Sequence, residues 1–76
     1  MTTPDLVRMA NQIAQFFAPY PDADAVDGVR DHLEKFWTRD MRRDLQRMVI
    51  GNGDDVRALD ALVRRAIASW PAPPSA

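Results

Sequence analysis

The sequence predicts an all-α fold: a small bundle of three to four helices with a disordered Pro-rich C-terminal tail. Three observations carry this prediction. Apolar residues recur at the 3.6-residue period of a helix through each long stretch of the chain. Pro19, Pro21, Gly51, Asn52, Gly53 and Pro71 punctuate the chain between and after those stretches. No segment alternates apolar and polar residues as a half-buried strand does. Residues 1–70 thus read as a single helical domain and residues 71–76 as the tail.

In the first helix, Leu6, Ala10, Ile13 and Phe17 follow the spacing of one helical face. Met9 and Phe16 flank that stripe on one side, Val7 and Ala14 on the other, while Arg8, Asn11, Gln12 and Gln15 fill the remaining arc. Asp5 or Thr3 is the expected cap, with Pro4 in the first turn, where its missing N–H costs nothing. The run Ala18-Pro19-Tyr20-Pro21 ends the helix, because each proline disfavours helical geometry in the residue before it.

The second helix is expected to start near Asp22, with Asp22 and Asp24 complementing the positive N-terminal dipole. Val26, Val29, Leu33, Phe36 and Trp37 form its apolar stripe, opposite Asp24, Asp27, Asp31 and Glu34. Thr38 is the expected N-cap of a third segment, 39–50, in which Met41, Leu45, Met48 and Val49 face inward. Arg39, Arg43 and Arg47 repeat every four residues on its far side. Gly51-Asn52-Gly53 supplies a C-cap and turn, and Asp54 or Asp55 caps the last helix. Val56, Leu59, Leu62, Val63, Ala66, Ile67 and Trp70 give that helix its apolar face, and Pro71 stops it.

A chain of 76 residues makes one domain with a thin stability margin. At the usual energy per residue that margin is ~4–11 kcal/mol. There is no cysteine to staple the fold or ligate a metal, which suits a reducing compartment. No apolar run approaches the length of a membrane span, and the N-terminus lacks the basic start and apolar centre of a signal peptide. A cytoplasmic protein without a membrane partner is the expectation. Ten cations, nine of them arginine, balance eleven acids, so nothing in the net charge of −1 draws the chain toward nucleic acid or acidic lipid.

The chemical signals are few. His32 is the only histidine, which rules out a multi-histidine metal site, and it sits at the edge of the second helix's apolar face near Ala25 and Phe36. A Ser-His-Asp triad is not expected around it. Asp22, Asp24, Asp27 and Asp31 lack the order and closing glutamate of a calcium loop and read as a solvated helix face. Gly51-Asn52-Gly53-Asp54 lacks the Lys-Ser/Thr of a phosphate-binding loop. No catalytic, cofactor-binding or metal residue is assigned. Phe16, Phe17, Phe36, Trp37 and Trp70 read mostly as core, but so small a bundle cannot cover five such rings. Phe16, Trp37 or Trp70 is left for a partner's pocket.

Two stretches go beyond generic helix. One is Leu6-Val7-Arg8-Met9-Ala10-Asn11-Gln12-Ile13 followed by Phe16-Phe17; the other is His32-Leu33, Phe36-Trp37, Met41-Arg42 and then Leu45. In order and spacing they resemble the delta subunit of cytoplasmic NAD-dependent formate dehydrogenases. The resemblance runs to Leu45 and is looser in the last helix, where Val63-Arg64-Arg65-Ala66 fits only in kind. The family's Phe-Trp is usually followed by a Pro and an Arg leading to Met-Arg; here the residues are Thr38-Arg39-Asp40-Met41-Arg42.

The resemblance implies a non-catalytic accessory subunit. In such enzymes the alpha subunit carries bis-molybdopterin guanine dinucleotide with molybdenum or tungsten, together with iron–sulfur clusters. The beta and gamma subunits pass electrons through FMN to NAD. The delta protein is associated with assembly, stability or cofactor maturation. On this reading Leu6, Ala10, Ile13, Phe17, Leu33 and Phe36 make the core. Asn11 and Gln12 lie outside the apolar stripe and are expected to meet the alpha subunit together with Trp37, Arg42 and Arg43.

Two other readings compete. A helix-turn-helix-like DNA-binding regulator would use Arg39, Arg43 and Arg47, against which stand Asp40 and Asp44 on the same segment. A homodimer of the free chain would bury the spare aromatic surface.

Overall fold

The computed structural model describes residues 2–51 and 54–70. Five helices follow one another: α1 (Thr3–Phe17), α2 (Asp22–Phe36), α3 (Arg39–Gly51), α4 (Asp54–Ala58) and α5 (Ala61–Ala68). No described residue lies in a strand, and the all-α prediction stands. The expected turn at Asn52-Gly53 and the expected tail, 71–76, lie outside the described residues.

The cap of α1 is Thr2, one residue before the candidate Thr3 and three before the candidate Asp5. Its hydroxyl accepts the Asp5 N–H at 3.3 Å and donates to the Asp5 carboxylate at 2.8 Å. These bonds occupy a first-turn donor that the helix itself cannot satisfy, and they hold the Asp5 carboxyl below its usual range. α2 begins at Asp22, as expected, without a side-chain cap. There Asp22 instead receives a two-pronged guanidinium contact from Arg65 of α5, at 2.7 and 2.6 Å. The contact lowers the Asp22 carboxyl and raises Arg65.

Trp37 ends α2 in an extended conformation and is itself buried. Thr38 then caps α3 as predicted, its hydroxyl accepting the Met41 N–H at 3.2 Å. Leu45 is fully enclosed, and Gln46 beside it is also buried, a polar position that the apolar stripe passes over.

The larger departure lies at the C-terminal end. The spacing from Val56 to Trp70 fits one continuous helix, yet the chain breaks it at Leu59 and Asp60 into α4 and α5. Asp60, in extended geometry, accepts the Leu62 N–H at 2.9 Å and caps α5, the last helix; the expected capping by Asp54 or Asp55 rests on side chains outside those described. An aspartate offers its own oxygen to nearby backbone donors, which favours a new helix start over continuation. Leu59 turns into the core at the break.

α2 packs most extensively against α5, and α1 touches all four other helices. Leu6, Ala10, Ala14, Val29, Leu33, Leu45, Val63 and Ala66 meet at the centre. Three of the residues assigned to the core do not belong fully to it. Ile13 and Phe17 are half-buried, and Phe36 is 72% exposed. The reason is architectural: no residue of α3, α4 or α5 lines the side of the α1–α2 hairpin on which these three lie.

Candidate functional site

The uncovered side of the hairpin is a groove of about 570 Å³. From α1 it receives Met9, Gln12, Ile13, Phe16 and Phe17; from α2, His32 and Phe36, with Trp37 just beyond the helix end. Helical spacing explains the set. Met9, Ile13 and Phe16 lie within two turns on one edge of α1, and His32 and Phe36 are one turn apart on α2. Phe16 is 67% exposed, so both edges of the groove carry an uncovered ring.

The rings are ordered by their neighbours. Phe17 meets Phe16 edge-on at 5.0 Å between centroids and Tyr20 at 5.6 Å. His32 lies tilted over Phe36 at 4.7 Å. The Phe17 ring also occupies the place that a Cβ at position 28 would take, which only Gly28 permits. No Asp, Glu, Lys or Arg lines the groove, and its polar side-chain groups are Gln12, His32 and the indole N–H of Trp37. An exposed aromatic surface of this kind has the character of a recognition site for apolar side chains.

Four of the five residues assigned to a partner already have work within the chain. The Asn11 carboxamide donates to the Ala58 carbonyl at 2.8 Å and accepts the Asp60 N–H at 2.8 Å, binding both sides of the α4–α5 break. Arg42 donates to the Glu34 carbonyl at 3.1 Å, satisfying one of the open carbonyls at the end of α2. Trp37, only 7% exposed, plugs the same joint and forms part of the groove. Arg43 pairs with Asp40 at 3.1 Å, while its Nε is buried with no partner among the described residues.

Gln12 differs from its neighbour Asn11. It is exposed and makes no hydrogen bond to a described residue. A second groove of about 530 Å³ runs along its other side, between Asn11 and Gln15 of α1 and Ala58 of α4. Gln12 is therefore a ridge between two grooves, the first including Trp37 and the second Asn11; Arg42 and Arg43 line neither.

Phe36 and His32 are the site residues that sequence reasoning missed. The excess of aromatic rings over the covering capacity of the bundle was the available signal, but periodicity assigned Phe36 to the core. Among the described residues no group of three or more His, Cys, Asp or Glu side chains is placed to hold a metal ion. No described helix is long and apolar enough to cross a membrane.

Residues 5–67 match a protein family described as NADH-dependent formate dehydrogenase delta subunit FdsD. No curated protein and no solved structure matches the chain.

Proposed function

The chain belongs to the family of NADH-dependent formate dehydrogenase delta subunits, and from that membership we propose that it is a non-catalytic accessory subunit that docks on the catalytic alpha subunit. The observation that supports docking is the uncharged groove with Phe16 and Phe36 uncovered on its two edges. In a bundle this small, two such rings in water are an unused driving force for association.

Gln12 and Trp37 meet the partner from the groove, and Asn11 borders the second groove beside them. Arg42 and Arg43 contribute at the periphery. Their internal bonds also hold the helix joints in the shape that the partner meets. The alpha subunit's molybdenum or tungsten cofactor and iron–sulfur clusters stay on the partner side: clusters are held by thiolates, and this chain has no cysteine. The delta subunit then supports assembly, cofactor maturation or stability in the cytoplasm, with the beta and gamma subunits reached through alpha.

Co-expression of the tagged chain with the alpha subunit is the test. Recovery of the alpha subunit in a fixed ratio, with higher metal content or activity than alpha made alone, supports the proposal. No enrichment of a metal-containing dehydrogenase overturns it.

A further inference from the structure

No Asp, Glu, Lys or Arg lines the open side of the α1–α2 hairpin, and two charges beside it are paired within the chain. Arg8, one turn before Gln12, is bound to Asp5 at 3.3 Å. Lys35, next to Phe36, is bound to Asp31 at 2.9 Å.

Resting on the docking reading above, we propose that the groove takes a single helix of the catalytic subunit through a face of aliphatic side chains that carries no charge. Three features point to that occupant. First, a charged side chain entering the groove would lose its water and find no counter-ion among the lining residues. Second, an extended segment would bring unpaired backbone N–H and C=O groups against a surface whose polar side-chain groups are only Gln12, His32 and the Trp37 indole N–H. A helix satisfies its own backbone and arrives with none to match. Third, the groove has a helix's dimensions. From Met9 to Phe17 it follows about 12 Å of α1, which corresponds to an occupant of about two to three turns. Such a helix sets apolar side chains at i, i+3 or i+4, and i+7 between Phe16 and Phe36, with the free Gln12 amide at its edge.

The occupant's chemistry fixes how binding responds to salt and to substitution. Affinity of the full chain for the alpha subunit is expected to change by less than about threefold between 50 and 500 mM NaCl, because no ion pair forms in the groove and the peripheral Arg42 and Arg43 keep their partners within the chain, the Glu34 carbonyl and Asp40. Phe16→Glu and Phe36→Glu are each expected to weaken binding by about 30-fold or more, whereas Phe36→Leu stays within about threefold of the native chain. Both rings are exposed, so circular dichroism of the variants should match the native chain. Hydrogen exchange on the alpha subunit should show one protected helical segment with an uncharged strip.

If the native chain binds alpha and the Glu variants bind equally well, or if affinity falls more than about tenfold with salt, the occupant is wrong while docking stands. Protection of an extended segment has the same meaning. If the native chain does not bind alpha, docking fails and this inference with it. A homodimer that Phe36→Glu dissolves and alpha does not compete for would assign the groove to a second copy and overturn the proposal.

Discussion

Asp60 donates its backbone N–H to the Asn11 carboxamide at 2.8 Å while its own carboxylate caps α5, so a residue of the first helix holds the start of the last. The same carboxamide holds the Ala58 carbonyl on the other side of the break. One side chain thus satisfies an acceptor at the end of α4 and a donor at the start of α5.

Asn11→Ala removes both bonds and is expected to cost about 1–3 kcal/mol, read from the urea midpoint. Asn11→Asp keeps the acceptor for Asp60 but sets a carboxylate oxygen against the Ala58 carbonyl, so at neutral pH it should cost at least as much as Asn11→Ala. Amide exchange at Asp60 should accelerate in Asn11→Ala ahead of the core. An Asn11→Ala protein as stable as the native chain would remove the joint from this account.

Gly28→Ala tests the seat of Phe17. In an exposed helix, alanine for glycine stabilises by about 1 kcal/mol. Here the new methyl group collides with the Phe17 ring, which must leave its contacts with Phe16 and Tyr20. The substitution should therefore destabilise by about 1 kcal/mol or more in the native background. In a Phe17→Ala background it should turn stabilising. A double-mutant cycle in urea measures that change of sign.

Acid should weaken the fold through two carboxylates. Arg65 holds Asp22 below its ordinary 3.8, and the Thr2 hydroxyl does the same to Asp5. Each binds its proton less readily folded than unfolded. Their stabilisation is therefore present above the ordinary value and is lost as pH falls through the lowered one. Both groups are exposed, so the effect is small and weakens with salt. Urea midpoints at pH 5 and pH 3 should differ less in Asp22→Asn than in the native chain.

Gln12 and Trp37 should separate binding from folding. Gln12→Ala removes an exposed side chain without internal bonds, so stability should stay within about 0.5 kcal/mol while affinity for the alpha subunit falls. Trp37→Ala empties a buried site and should cost about 3–5 kcal/mol, a large part of the whole. Thermal melts beside binding titrations distinguish the two. A Gln12→Ala chain that binds alpha normally would take Gln12 out of the interface.

Much of the fold was legible because helical periodicity is a local property. Leu6, Ala10, Leu33, Leu45, Val63, Ala66 and Ile67 were placed inward from spacing alone, and all are buried. Thr38 announced its cap because a threonine before a helical stripe has one obvious use. The break at Asp60 was not legible: Val56, Leu59, Val63 and Ile67 keep a helical interval across it, and the competing bond to Leu62 leaves no trace in that interval. Phe36 was misplaced because a stripe shows which residues share a face of α2, but not how much of that face its neighbours cover. Asn11 was correctly set outside the stripe. Its partners lie 47 and 49 residues away, beyond any local reading.

The two tryptophans occupy different surroundings, and that difference makes the molecule its own optical reporter. Trp37 is enclosed at the α2–α3 joint and forms part of the groove, whereas Trp70 holds its indole N–H against the Glu34 carboxylate at 3.0 Å. Replacing Trp70 with phenylalanine leaves one emitter beside the groove; replacing Trp37 leaves one that reports on the contact between Trp70 and Glu34. With one tryptophan left, an unlabelled chain shows by its emission colour whether the surroundings of that ring have changed.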